Sequence, residues 1–123
     1  DNRLKSWNLY HERLRSLEEK GCLELPKVPV ECNHNGHMYF IKLNNLVERT
    51  DAINYLKEKG ISAMFHYVPL HSSKAGLRFG RFCGEDKFTT KESERLLRLP
   101  LYYGLSTDDI NFVCDKIKAF LKR

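Results

Sequence analysis

The sequence predicts an α+β fold, a small antiparallel or mixed sheet packed with helices. Apolar residues recur at intervals of three and four in the first and last parts of the chain, a pattern typical of amphipathic helices. Two apolar and aromatic runs in the middle are typical of strands. At 123 residues the chain is long enough for one compact core without disulfide or metal support. We therefore predict a single domain over residues 1–123.

The composition argues against several classes of protein. Hydrophobic residues make up 41% and charged residues 30%, which is typical of a globular chain rather than a disordered or membrane one. The formal charge of +5 is interleaved with acids and lacks aromatic-flanked basic motifs, so nucleic acid is not an expected partner. The four cysteines form no C-x-x-C pair and are expected to be reduced. We expect a soluble, cytoplasmic protein.

The start of the chain predicts an amphipathic helix followed by an extended connector. Gly21 is the expected end of the helix, and Pro26 and Pro29 stiffen residues 23–30. The chain opens at Asp1 without an initiator methionine, which suggests a piece of a longer polypeptide. One apolar stripe marks the buried face of the helix: Leu4, Trp7, Tyr10, Leu14 and Leu17.

The middle of the chain predicts a strand–helix–strand unit. The first strand is expected at residues 37–43, and the helix from Thr50, as N-cap, to Lys59, with Gly60 closing it. The second strand is expected at residues 61–66. Such an order favours a βαβ unit or half of an α+β sandwich.

The remaining third predicts a loop and two helices. Residues 72–84 contain three glycines without a dinucleotide fingerprint, so a solvated loop is expected and a phosphate-holding loop is the alternative. Thr89 and Glu92 suggest a capping box for a helix that runs to about residue 97, before Pro100. Ser106 and Asp109 suggest a second capping box that opens an amphipathic final helix.

The candidate functional motif is the run of residues 66–71, His-Tyr-Val-Pro-Leu-His, at the end of the second strand. Imidazole and phenol groups beside a proline suit ligand binding, although satisfaction by backbone partners is an equal alternative. Cys32, His34 and His37 lack a fourth ligand, so a zinc site is not expected. A nucleophile, either Cys83 or a serine beside the motif, lacks an orienting acid.

Several ordered motifs together resemble the carboxy-terminal small domain of the DegT/DnrJ/EryC1/StrS family of sugar-nucleotide aminotransferases. The resemblance extends over nearly the whole chain and is nearest to the enterobacterial-common-antigen branch. It rests on residues 35–37 (Asn-Gly-His), Gly60-Ile61 leading into residues 66–73, residues 79–82 (Phe-Gly-Arg-Phe), residues 84–86 (Gly-Glu-Asp) and residues 89–101, followed by a terminal helix.

That resemblance implies a fold-type I, pyridoxal-phosphate-dependent enzyme that is usually a homodimer. Its members move an amino group from glutamate to C4 of a dTDP-4-keto-6-deoxyhexose, in cell-surface polysaccharide biosynthesis. The cofactor is held mainly by a larger amino-terminal domain that this chain lacks. Lys74 falls after the small-domain motif and is not the cofactor's lysine. We expect the chain alone to carry no catalytic residue, to bind no cofactor and to be inactive.

By the same resemblance, His66, Tyr67 and His71 are expected to contact substrate or to pack at a closed domain interface. His37 is a second candidate for substrate contact and Arg81 a third.

Removal of a large domain would leave exposed apolar surface on the first helix, around Leu4, Trp7 and Tyr10. The alternative interpretation is a free-standing α+β module that binds a ligand or a protein without catalysis.

Overall fold

The computed structural model describes residues 2–122 and confirms the predicted α+β class. Five helices, three strands and one 3₁₀ turn follow one another in these residues: α1 (Asn2–Glu19), β1 (Tyr39–Lys42), α2 (Leu46–Glu58), β2 (Met64–Phe65), the 3₁₀ turn (Leu70–Ser72), α3 (Lys74–Phe79), α4 (Thr89–Arg95), β3 (Leu96–Leu99) and α5 (Thr107–Leu121).

The three strands form an antiparallel sheet in the order β1–β3–β2. Tyr39 pairs with Leu99 on one side of β3, and Met64 pairs with Arg98 on the other. Because β1 and β2 both run antiparallel to β3, they are parallel to each other. The predicted βαβ unit is therefore present as β1–α2–β2, with β3 inserted between its two strands.

The core lies where α1, α2 and α5 cover the sheet. On α1, Trp7, Tyr10, Leu14 and Leu17 are buried as predicted. The Tyr10 hydroxyl donates a hydrogen bond to the Pro100 carbonyl oxygen at 2.9 Å, which ties α1 to the end of β3.

Two predicted helix ends are confirmed by their hydrogen bonds. The Asp109 backbone N–H donates to Ser106 Oγ at 3.0 Å, and Ser106 Oγ donates to Asp109 Oδ2 at 2.6 Å, so this pair opens α5. Gly21, with φ of +70°, follows α1 and donates its N–H to the Glu18 carbonyl oxygen.

The predicted start of α2 at Thr50 is wrong. The helix begins at Leu46, capped by Asn45, whose Oδ1 accepts the Glu48 N–H at 3.0 Å. Glu48 Oε2 in turn accepts the Asn44 N–H at 2.8 Å. Thr50 lies inside the helix and donates its hydroxyl to the Leu46 carbonyl oxygen. The capping interactions at Asn45 therefore determine the start of the helix.

The remaining boundaries also differ from expectation. The strand predicted at residues 61–66 is only Met64–Phe65, and the one predicted at residues 37–43 is Tyr39–Lys42. Residues 72–84, predicted as a loop, contain α3. Helix α4 ends at Arg95 rather than at residue 97, because Leu96–Leu99 pair with β1.

Thr89 does not cap α4. Phe88 occupies the N-cap position without a side-chain hydrogen bond. The Thr90 N–H is accepted instead by the Asp86 carboxylate. Because this acceptor lies four residues before Thr90, the capping-box pattern of Thr89 and Glu92 does not describe this helix start.

The prediction of exposed apolar surface around Leu4, Trp7 and Tyr10 is also wrong, since Trp7 and Tyr10 are only 7% and 0% exposed. Exposed large apolar residues are concentrated instead between β2 and α4: Met64, Phe65, Tyr67, Val68, Leu70, Leu77, Phe79, Phe82 and Phe88. The four cysteines are free. Within residues 2–122, no helix has the length and apolar character needed to cross a membrane.

Candidate functional site

The predicted motif forms a loop that leaves β2 with a sharp turn. Tyr67 has φ of +57°, a left-handed conformation that is uncommon for a residue with a side chain, and its phenol is 75% exposed. His66 is half-buried, its ring lies 4.8 Å from that of Tyr67, and its Nδ1 is buried without a hydrogen-bond partner. His66 Nδ1 is therefore a buried group without a hydrogen-bond partner among residues 2–122, while the Tyr67 phenol is open to solvent.

His71 is held by a polar network at the other end of the motif. Its Nε2 lies 2.9 Å from Asp86 Oδ2, and its ring lies 4.5 Å from that of Phe82. The Thr90 hydroxyl donates to the same carboxylate oxygen at 2.5 Å. The hydrogen bond from Thr90 and the nearby His71 hold the pKa of Asp86 below its ordinary value. The network connects the motif to α4.

The serines after the motif serve as capping groups. The Gly76 N–H donates to Ser73 Oγ at 3.0 Å, and Ser73 Oγ donates to the Leu70 carbonyl oxygen at 2.8 Å. Ser72 Oγ donates to the Pro69 carbonyl oxygen at 3.2 Å. Because both hydroxyls bond to the backbone, the structure gives neither serine the features of an activated nucleophile.

A pocket of about 290 Å³ lies between α2, β2, the motif loop and α4. Phe65 and Tyr67 line it from the motif side, while Thr90 and Glu94 line it from α4. Arg49 of α2 also lines it and is only 8% exposed.

Sequence reasoning missed Arg49. Its Nε and Nη1 are buried without an acceptor, and its guanidinium carbon lies 5.1 Å from the Phe65 ring centroid. Burial lowers the pKa of Arg49, partly opposed by the charge of Glu94. A helix starting at Leu46 places Arg49 on the face of Ala52, whereas a helix starting at Thr50 leaves Arg49 outside the helix.

The structure does not bring His37 to this pocket. His37 is exposed and its Nδ1 lies 2.9 Å from Asn35 Oδ1. It lines a separate pocket of about 120 Å³ together with Met64 and Arg98. Met64 and Phe65 line different pockets because neighbouring strand residues point to opposite faces.

Arg81 follows α3 and is exposed. Within residues 2–122 it has no hydrogen bond or ion pair. Its predicted substrate contact therefore stays a prediction.

Cys32, His34 and His37 do not form a metal site in the described chain. The His34 ring lies 4.4 Å from that of Trp7, and Cys32 is exposed. Nowhere in the described chain do three His, Cys, Asp or Glu residues form a group suited to a metal ion.

The profile of the DegT/DnrJ/EryC1/StrS aminotransferase family matches residues 1–118. The chain belongs to this family. A related sequence is the uncharacterized protein MJ1066 of Methanocaldococcus jannaschii, 29% identical over 117 residues, which cover 92% of this chain and 30% of that protein. The chain therefore spans about a third of the length of this relative.

Two solved structures share the fold of this chain. The aminotransferase TlmJ from Streptoalloteichus hindustanus superposes with a TM-score of 0.84 at 23% identity, covering 98% of this chain and 31% of TlmJ. NtdA from Bacillus subtilis, determined with bound cofactor PMP, superposes with a TM-score of 0.79 at 22% identity, covering 99% of this chain and 28% of NtdA.

The residues around the Arg49 pocket do not fit pyridoxal phosphate. This cofactor is attached through a lysine amine. No lysine lines the pocket, and Lys74 is exposed at the start of α3. The described chain therefore does not supply the cofactor's attachment point beside this pocket.

Proposed function

We propose that this chain is the small domain of a pyridoxal-phosphate-dependent sugar-nucleotide aminotransferase. The reaction moves an amino group from glutamate to C4 of a dTDP-4-keto-6-deoxyhexose, in the synthesis of a cell-surface polysaccharide such as enterobacterial common antigen. Family membership over residues 1–118 supports the aminotransferase class. The observation that carries the proposal is the His66–Tyr67 pair, in which an exposed phenol lies beside a half-buried imidazole whose Nδ1 has no partner among residues 2–122.

In this proposal the chain's residues bind and orient the substrate. The half-buried His66 ring and the exposed Tyr67 hydroxyl exchange hydrogen bonds with sugar hydroxyl or diphosphate oxygens. Asp86 and Thr90 hold His71 and so keep the loop in place. The cofactor supplies the electron sink, and the lysine that moves protons lies outside this chain.

The same proposal concerns the whole enzyme's assembly and location. The proposed enzyme is a cytoplasmic homodimer. A cofactor-binding domain preceding this chain would account for a match that covers only 30% of the relative MJ1066. The exposed apolar residues between β2 and α4 are the surface that such a domain or subunit would cover.

The test uses the intact enzyme, this chain together with the preceding region. We expect it to convert glutamate and the dTDP-4-keto sugar into an amino sugar, and the 123-residue chain alone to give no product. His66→Ala should lower sugar turnover about 10- to 100-fold, the loss expected for one or two hydrogen bonds. The cofactor's absorbance band should not change.

His34→Ala is the matched control, because that ring packs on Trp7 away from the motif. An intact enzyme that does not aminate the keto sugar would refute the proposed reaction. Wild-type turnover in His66→Ala would remove His66 from the substrate site.

A further inference from the structure

Arg49 is a buried cation with unsatisfied donors. Its side chain lies under the motif loop, and the whole residue is 8% exposed. Nε carries one N–H and Nη1 carries two, and neither nitrogen has an acceptor. Burying a charged donor without a partner is costly, so an acceptor from elsewhere would stabilise this arrangement substantially.

The neighbouring residues leave the guanidinium available. Phe65 lies beside it, with 5.1 Å between the guanidinium carbon and the ring centroid. Glu94 lines the same pocket but forms no ion pair with Arg49 in the described chain. The pocket therefore contains one cation whose N–H groups are not used internally.

The chemistry of the pocket favours a carboxylate over a phosphate. A guanidinium matches both groups with paired N–H donors. A phosphate dianion, however, would meet the negative charge of Glu94 with only one cation to balance it. A carboxylate carries a single charge and exposes less oxygen to the apolar lining of Leu46, Val68 and Pro69. About 290 Å³ suits a small acid or one acidic side chain.

We propose that Arg49 and its pocket form a carboxylate-binding site. The guanidinium pairs with the carboxylate, and the Phe65 side chain packs against the carbon chain of the ligand. The carboxylate belongs either to a free amino acid or to an acidic side chain of a polypeptide region outside the described residues. The site follows from this chain's residues alone and does not rest on the proposed transamination.

The experiment is an NMR titration of the ¹⁵N-labelled 123-residue chain, following the Arg49 Nε–Hε resonance at constant ionic strength. Acetate, glutamate and inorganic phosphate are the probes. We expect saturable shifts with acetate and glutamate and none with phosphate. Glutamate binding at least tenfold tighter than acetate assigns the site to a free amino acid. Equal affinities assign it to an acidic side chain.

Two variants are expected to change acetate binding in opposite directions. Arg49→Gln should abolish the shifts of the neighbouring backbone resonances. Glu94→Gln should tighten acetate binding about three- to tenfold, because it removes a nearby negative charge. Arg15→Gln, an exposed change on α1, is the control and should leave binding unchanged.

The Glu94 variant retains Arg49, so the proposal is tested even if Arg49→Gln fails to fold. No saturable acetate shift, equal or tighter phosphate binding, or unchanged acetate affinity in Glu94→Gln would each overturn the proposal. None of these results depends on turnover, so failure of this site and failure of the proposed reaction are distinguishable.

Discussion

Asp86 is the residue that joins the motif loop to α4. One of its carboxylate oxygens faces His71 Nε2 at 2.9 Å and the Thr90 hydroxyl at 2.5 Å, and the carboxylate also accepts the Thr90 N–H. The sequence motif identified His71 but not this partner, since fifteen residues separate the two along the chain. A single ionised oxygen thus holds both the histidine and the first turn of the helix.

The Asp86 contacts should be lost in acid. The folded pKa of Asp86 lies below its ordinary value of 3.8, because Thr90 donates to it and His71 lies beside it. The stabilisation is therefore present above the ordinary pKa and disappears as the pH falls through the lowered one. We expect the Thr90 amide resonance to move below about pH 4, and the protection of this amide relative to the intrinsic exchange rate at each pH to fall.

Asp86→Asn should weaken the contacts with Thr90 and His71 at neutral pH, and so speed the exchange of the Thr90 amide, because the substitution removes the carboxylate charge. Glu85→Gln is the matched control, because Glu85 is exposed and, within residues 2–122, its carboxylate pairs only with Lys87, at 3.5 Å. If Thr90 exchanges equally fast in Asp86→Asn and in the wild type, the carboxylate does not hold the helix start.

At the scale of elements, α3 depends on a close approach between two short segments. A Cβ on Gly76 would lie 1.7 Å from the Leu70 carbonyl oxygen, so the 3₁₀ turn and α3 pack together only with glycine there. The three glycines of residues 72–84 suggested a loop, but Gly76 permits α3 to pack against the 3₁₀ turn. Composition alone did not distinguish these two roles of glycine.

Gly76→Ala should open this segment without unfolding the domain. Overpacking of this kind costs about 1–3 kcal/mol, which raises the open population of the segment roughly 5- to 150-fold. Tryptic cleavage after Arg78 and Arg81 under native conditions measures that population.

The urea midpoint of the domain should change little in this variant, because no residue of α3 belongs to the core. Gly80→Ala is the control, since its Cβ would meet only the Gly76 carbonyl oxygen, at 3.2 Å. Equal cleavage rates in the two variants would contradict the packing argument.

For the whole molecule, the sequence predicted those features that local pattern determines. The periodicity of α1 and α5 and the capping pair Ser106–Asp109 gave the helices and the fold class correctly. The start of α2 was missed because Asn45 and Thr50 are both plausible caps, and only packing separates them. Arg49 was missed with it, since its burial depends on β2 and the motif loop lying across the first turns of α2.

Alkaline pH should unfold the domain through its buried ionisable groups. Burial raises the pKa of the Cys114 thiol from 9.0 to about 12 and raises the pKa values of Tyr10 and Tyr39 as well. The unfolded chain therefore loses these protons first. The stability they contribute is complete below the ordinary pKa values and declines as the pH rises towards the folded ones.

Each of these groups lowers the free energy of unfolding by about 1.4 kcal/mol per pH unit in that window. Urea midpoints between about pH 8 and about pH 11 measure the decline. Cys114→Ala should make the decline of the urea midpoint shallower at the lower end of this pH range, where the thiol titrates before the phenols. Cys32→Ala is the control and should not change the decline, since Cys32 is exposed. An identical decline in both variants would mean that the Cys114 thiol does not couple proton loss to unfolding.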